Sequence, residues 1–447
     1  MKKTCIIGSG ICGLTAAWEK ERQGCEVTLL DAAKRAGGVI ESVEDEGFLL
    51  DYGPNTLSLR LAKTEAMLRD SGILDHAIDA NPEAVKRFVV RKGKLVAMPH
   101  GLLSFLGSRF LSFPGKLRLL LEPFLPRGKA NHEESVASFV SRRMGREVLD
   151  YGANPFLAGV YAARPETLNL RHTLPALHQL EQKHRSLLLG MIFGAREPGR
   201  LPRSRLLSFP LGMEELPNRI LANLQGRALL GHEVTQVVRG SEKWRIEASV
   251  SGGASWAEDF DEVVCAIPAH RLGGINWRNV EGAQDVRMLG NAPHFPLSVV
   301  YHGYDAKDLS HPLDGFGFLV PEIEEMNILG TLFSSTLFPG RAPEGKVLLT
   351  TFVGGERNPE LALREDDAIH EAVTRDLSSL LGIKSSPAFQ RIRTWKRAIP
   401  LPDAGFEKRK RVAERLKQSN PGLFFSGAHL TGPALPNCLS PLPEDLD

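Results

Sequence analysis

Short apolar runs alternate with polar and glycine punctuation from the first residues of the chain. Thr4-Cys5-Ile6-Ile7 has the continuous apolar character of a buried strand and is closed by Gly8-Ser9-Gly10-Ile11-Cys12-Gly13. Leu14 to Arg22 then reads as a helix, and Glu26 to Asp31 as a second apolar strand ending in an acid. Later strand patterns fall at 227–239, 243–250 and 260–268, and one at 420–427 runs into a glycine turn. Between them, 84–200 is dominated by helical periodicity, with Gly/Pro breaks near 99–101, 114–115 and 126–128. Residues 290–390 hold strand-like runs (297–300, 317–320, 347–353) and then a helix, Asp366 to Leu381. The pattern predicts an α/β chain whose opening βαβ unit is revisited by distant strands, with two insertions of different character.

Composition narrows the class without naming it. A chain of 447 residues calls for two or three domains, and 42% hydrophobic with 24% charged residues is an ordinary globular balance. Lys+Arg (55) and Asp+Glu (53) nearly cancel, so no global field points to nucleic acid. Lys2-Lys3 is not followed by a secretory apolar core, and no run reaches the roughly 18 apolar residues of a spanning helix. The expectation is a cytoplasmic protein. Cys5, Cys12, Cys25, Cys265 and Cys438 are scattered, which predicts small buried thiols rather than a disulfide frame or a metal site.

The candidate chemistry starts at the first turn. Gly8 permits a tight turn, Gly10 lets backbone approach a pyrophosphate, and Gly13 lets helix pack on strand. The helix start offers free N–H groups to phosphates, and Asp31, 18 residues past Gly13, is placed to accept bonds from ribose hydroxyls. This is a Rossmann-type dinucleotide unit, and by itself it leaves NAD and FAD both open. The continuation Lys34-Arg35-Ala36-Gly37-Gly38 resembles the R-x-G-G segment of the large flavoprotein family that contains amine oxidases, carotenoid desaturases and porphyrinogen oxidases. Gly53-Pro54-Asn55-Thr56 is similar to that family's flavin-lining loop.

The resemblance implies FAD as cofactor. It implies cofactor contacts at Gly8, Ser9, Gly10, Ile11, Cys12, Gly13, Leu14, Asp31, Ala32, Arg35, Gly37, Gly38, Gly53, Pro54, Asn55 and Thr56. From the later returns it adds Val234, Ala266, Trp395, Gly427, Pro433, Ala434 and Leu435. The implied layout is a discontinuous FAD-binding domain (1–83, 201–288, 391–447), a helical insertion on the substrate or membrane side (84–200), and an α+β substrate-binding domain (289–390).

Further segments resemble the porphyrinogen oxidases in particular: Gly159-Val160-Tyr161-Ala162, residues 181–190, residues 208–217, Gly315 to Pro321, and Leu329-Gly330 leading to Phe338-Pro339. The resemblance runs in order from residue 4 to about 438. It implies hydride removal from a methylene bridge of a tetrapyrrole, with dioxygen as final acceptor and hydrogen peroxide as product. Arg87, in Arg87-Phe88, is implied as the anchor for a substrate propionate, which a planar guanidinium suits. Phe352 is implied as an apolar neighbour of the macrocycle, or else a plain core residue. No catalytic acid or base is assigned; His184 lies in a family-specific segment but reads as structural.

Residues 85–129 carry ten Lys/Arg against one acid, Glu122, set among apolar side chains. Three readings stay open: a propionate-binding rim, a peripheral contact with the inner face of a membrane, or a solvated helix face. Coproporphyrinogen, with four propionates against two, is the alternative substrate to protoporphyrinogen. Outside porphyrinogen chemistry, an amine oxidase, a desaturase and an inactive flavin-binding relative stay open. The inactive relative is suggested by two departures: Asn55 stands where the family often has Arg, and Pro441 and Pro443 oppose the helix expected to close over the flavin after Cys438. The resembled enzymes are frequently dimers, so a homodimer is expected.

Overall fold

A computed structural model of the chain describes residues 1–99, 101–128, 133–193 and 200–439. Five parallel strands form its first sheet, in the order Arg227–Leu230, Glu26–Asp31 (β2), Lys3–Ile7 (β1), Glu262–Cys265 and Leu423–Phe425. Both faces are covered, which is why Thr4 to Ile7 of β1 are all buried rather than alternating between core and solvent. Ile6 and Leu29 face one core, with the helix Ile11–Arg22 (α1) and Leu216 and Ile220 of the helix Glu215–Asn223. Cys5, Ile7 and Leu30 face the other, against Val237, Ile246 and Val412. That second core is walled by a four-stranded sheet (Ser255–Phe260, Trp244–Val250, His232–Arg239, Asn276–Arg278) and the helix Phe406–Ser419.

A mixed sheet of seven strands stands apart from the first. Its order is Phe389–Trp395, Leu297–Asp305, Lys346–Gly354, Ile328–Phe333, Gly315–Leu319, Lys86–Arg91 and Lys94–Ala97, with the helix Asp366–Leu381 packed on it. Two of its members were not expected there. Lys86–Arg91 and Lys94–Ala97 fall in the stretch expected to be helical, yet they form an edge hairpin. Val89 and Val90 favour a strand, and Lys92 (φ 52°) and Gly93 (φ 68°) supply the two left-handed residues of a two-residue hairpin turn. Similarly, the sheet extends to Trp395, five residues past the expected boundary at 390.

Helices between Val136 and Phe193 build a separate core around Phe139, Leu157 and Leu168. No helix among the described residues is long and apolar enough to cross a membrane. Four of the five cysteines are buried, Cys25 is partly exposed, and none is in a disulfide. Near the C-terminus the described chain ends on a short helix, Leu435–Cys438, packed against α1. The expectation about Pro441 and Pro443 lies outside the described residues.

Candidate cofactor and substrate site

The carboxyl ends of the parallel strands are tied together by backbone bonds: Gly8 N–H to Leu30 O (2.7 Å), Ala266 N–H to Ile7 O (2.8 Å), and Ser426 N–H to Cys265 O (2.9 Å). At this edge α1 begins. Its N-cap is Gly10, with no side-chain cap and no acid in the first turn, and its first internal bond is Leu14 N–H to Gly10 O. The N–H groups of Ile11, Cys12 and Gly13 therefore have no helical partner, although all three residues are buried. A Cβ at Gly13 would run into the Gly8 carbonyl, whereas one at Gly10 would meet nothing within 4 Å. The result is a tight turn under an open cradle. Beside it, Asp31 Oδ2 accepts from Ser9 N–H (2.6 Å) and Ser9 Oγ–H (2.7 Å), and Oδ1 from Ala33 N–H (2.8 Å), with exposed Ala32 between.

The glycine loop after β2 closes on the same cradle. Gly37 N–H donates to Ser9 O (2.8 Å), and Gly38 sits so close to Gly10 that a Cβ there would be 3.2 Å from the Gly10 Cα. Arg35 organises this loop from within: its guanidinium donates to the carbonyls of Ala36, Gly38 and Ile40 and pairs with Glu41 and Glu214. Its contribution to a cofactor is thus the shape of the loop.

Gly53 approaches Val39 so closely that a Cβ would run into the Val39 carbonyl. The segment before it is held by Tyr301, whose hydroxyl donates to Asp51 O (2.7 Å), and by Trp395, whose indole N–H donates to Tyr52 O (3.0 Å). Arg393 lies over the rings of both Tyr52 and Trp395. Tyr52 and Arg393 carry no signal in the sequence; Trp395 was the one local pointer. Past Pro54, Asn55 donates to Gly53 O (3.2 Å), and Asn55 and Thr56 line a small cavity with Asp51 and Arg341. Arg341 lines the same cavity as Asn55, but Asp51 neutralises its guanidinium at 3.2 Å. Burial pushes the Asp51 carboxyl up, against the pull of Arg341, Ser42 and Met213 N–H.

The C-terminal return completes the edge. Gly427 turns at φ 134°, and on either side Ser426 Oγ and His429 Nε2 are buried without a partner among the described residues. Burial, reinforced by Arg409 and His294, pushes the His429 imidazole down to about 3, so it is neutral. Pro433 and Ala434 lead into the helix Leu435–Cys438, and Leu435 joins the core containing Ile11. Val234 packs with Leu30 at a bulge in its strand. A buried, uncapped helix start and two orphaned polar atoms at the same sheet edge fit FAD. The N–H groups of Ile11, Cys12 and Gly13 would hold its pyrophosphate and Asp31 its ribose; the bound flavin supplies a two-electron acceptor.

Arg87 and Phe352 both lie in the seven-stranded sheet. The register sets Arg87 opposite Gly317, Gly317 opposite Leu332, and Leu332 opposite Thr350, two residues from Phe352. Both side chains therefore project from one face, three strand spacings across and two residues along, or roughly 16 Å apart. Arg87 is exposed, its guanidinium lies 5.3 Å from the Phe316 ring centroid, and it has no ion pair among the described residues. Most of the other cations in 85–129 are engaged. Arg91 pairs with Glu147 (2.5 Å), Lys86 with Asp314, and Lys116, Arg118 and Arg127 donate to backbone carbonyls. Lys129 lies outside the described residues.

His184 ends the helix Pro175–His184 and packs on Gly190. Its segment is a structural knot: Glu181 pairs with Arg142 (2.8 Å), Ser186 Oγ–H donates to Glu122 (2.6 Å), and Glu122 pairs with the fully buried Arg143.

Residues 11–435 match the family of flavin containing amine oxidoreductases. The chain is 32% identical to protoporphyrinogen oxidase 2, chloroplastic/mitochondrial, of Arabidopsis thaliana, over 96% of this chain and 90% of that protein. It is 26% identical to coproporphyrinogen III oxidase of Bacillus subtilis (strain 168), over 98% and 96%. Among solved structures it superposes with a TM-score of 0.81 and 23% identity on a chain from Exiguobacterium sp. 255-15 assigned as a protoporphyrinogen oxidase, covering 98% of this chain and 96% of that one. With an open, uncapped helix start at its glycine turn, a matching family model and relatives along its whole length, this chain belongs to the flavin containing amine oxidoreductases, as an FAD-dependent oxidoreductase of the porphyrinogen oxidase branch.

Proposed function

We propose that this chain oxidises protoporphyrinogen to protoporphyrin, with FAD as immediate acceptor and dioxygen as final acceptor, releasing hydrogen peroxide. The observation that carries the reading is Arg87, a guanidinium with no ion pair among the described residues, on the same sheet face as Phe352. A cation at one end of a partly apolar face suits a macrocycle with carboxylate tails. The higher identity to the plant protein named for protoporphyrinogen favours that substrate over coproporphyrinogen. Incubating the flavin-loaded protein with each porphyrinogen and following porphyrin fluorescence tests both. Porphyrin should form faster from protoporphyrinogen, and a rate no higher than autoxidation with either substrate rejects the activity.

The reading includes a cytoplasmic protein held peripherally at the inner face of a membrane through 85–129. Exposed Phe113, Leu117, Leu120, Leu121 and Phe124 support the contact, with Arg109 free of ion pairs among the described residues. Vesicles containing anionic lipid should bring the protein down on sedimentation, and neutral vesicles should not. A homodimer is the proposed assembly, which sedimentation equilibrium reads directly.

A further inference from the structure

Cys12 and Cys438 are separated by almost the whole chain, and the fold brings them together. Cys12 lies in the first turn of α1, directly above the cofactor cradle, and Cys438 ends the short helix packed on α1. The two thiols face one another within one buried core that also holds Leu14 and Leu439. Cys438 Sγ also lies 3.6 Å from Gly432 O. No other pair is arranged this way. Cys5 and Cys265 sit on adjacent parallel strands but two residues out of register, and Cys25 is beyond the far end of α1.

We propose that Cys12 and Cys438 are a redox site, a dithiol that converts to a disulfide and pins the C-terminal segment onto the helix that begins at the cofactor turn. The oxidant is hydrogen peroxide, supplied in solution, so the proposal does not rest on the porphyrinogen reading. Cys438 is the attacking group: its contact with Cys12 holds its thiol below the ordinary value, aided by Thr431 and opposed by burial. Contact with Cys438 and burial push the Cys12 thiol up, which suits a resolving partner.

In the first step the Cys438 thiolate attacks one peroxide oxygen. The O–O bond breaks, the other oxygen leaves with a proton as water, and Cys438 becomes a sulfenic acid. In the second, Cys12 sulfur attacks the Cys438 sulfur as it gives up its proton. The S–S bond forms, the S–O bond breaks, and a second water leaves. Two thiols lose two electrons and one peroxide gains them. The consequence falls on the cofactor, because the crosslink ties the described C-terminal end of the chain, residues 427 to 438, to the turn that would hold the pyrophosphate.

The test uses the full-length, FAD-loaded protein treated with a small excess of hydrogen peroxide, then alkylated and digested without reductant. Mass spectrometry should find the Cys12 and Cys438 peptides joined, and dithiothreitol should separate them. In mild denaturant the oxidised protein should release FAD at least roughly ten-fold more slowly than the reduced one. Cys438→Ser should abolish both the crosslink and the effect of peroxide on release, whereas Cys25→Ser should keep both. The proposal is overturned if Cys12 and Cys438 stay alkylatable while Cys25 is oxidised, if Cys12 couples to a different thiol, or if the crosslink leaves FAD release unchanged.

Discussion

Gly10 and Gly13 stand three residues apart and answer different demands. Gly13 is fixed by the Gly8 carbonyl beneath it, so Gly13→Ala should displace α1 from β1 and lower both the melting temperature of the apoprotein and flavin content. Gly10 faces open space, so Gly10→Ala should leave the apoprotein's melting temperature nearly unchanged and selectively reduce flavin retention on gel filtration. Equal loss of stability in both variants would contradict this division. Arg87 invites a different measurement. A charge-assisted bond is worth about 1.5–3 kcal/mol, so Arg87→Leu should lower kcat/KM by roughly ten- to a hundred-fold, chiefly through KM, with stability unchanged. At this scale the glycines were legible in the sequence because each answers a local steric demand. Arg35 was legible only as a motif letter; that its guanidinium caps its own loop needed Ile40 and Glu214 in place.

Elements were readable where local periodicity decided them and misread where a distant partner did. The opening βαβ unit, the strands near 230 and 263 and the helix Asp366–Leu381 came directly from apolar spacing. The hairpin at 86–97 did not, because its inner neighbour in the sheet, Gly315–Leu319, lies more than 200 residues later and nothing local announces it. Trp395 shows the same limit, since its indole is assigned by the Tyr52 carbonyl across the fold. The helical insertion hides its key in a similar way: Glu122, the one acid of a basic stretch, is buried against Arg143. Burial acts to raise its carboxyl pKa, but bonds from Ser186, Leu187 and Leu188 and the Arg143 charge bring it below the ordinary value. Arg143→Met would strand that carboxylate, and should cost about 3–5 kcal/mol, read as a lower urea midpoint for the helical region. An unchanged midpoint would show that Glu122 is satisfied by its neighbours alone.

For the whole molecule, acid should be the disruptive direction. His302 and His429 lie in different cores, and burial pushes each down to about 3 from an ordinary 6.5. The unfolded chain therefore binds protons that the folded chain refuses. Their contribution is intact above about pH 6.5 and is lost as pH falls toward 3, by up to about 1.4 kcal/mol per pH unit for each histidine. Melting temperature should drop steadily between pH 6.5 and 5, and His302→Gln should make that slope shallower; a slope unaltered by the substitution would assign acid sensitivity elsewhere. A last consequence follows from the strand order of the parallel sheet. Its two central strands, β1 and β2, leave the ribosome first, but their outer neighbours are residues 227–230 and 262–265. At translation rates of about 5–20 residues per second, the apolar edges of β1 and β2 wait roughly 10–50 s for those partners. During synthesis, the segment that will hold the cofactor is the one most in need of a chaperone's cover.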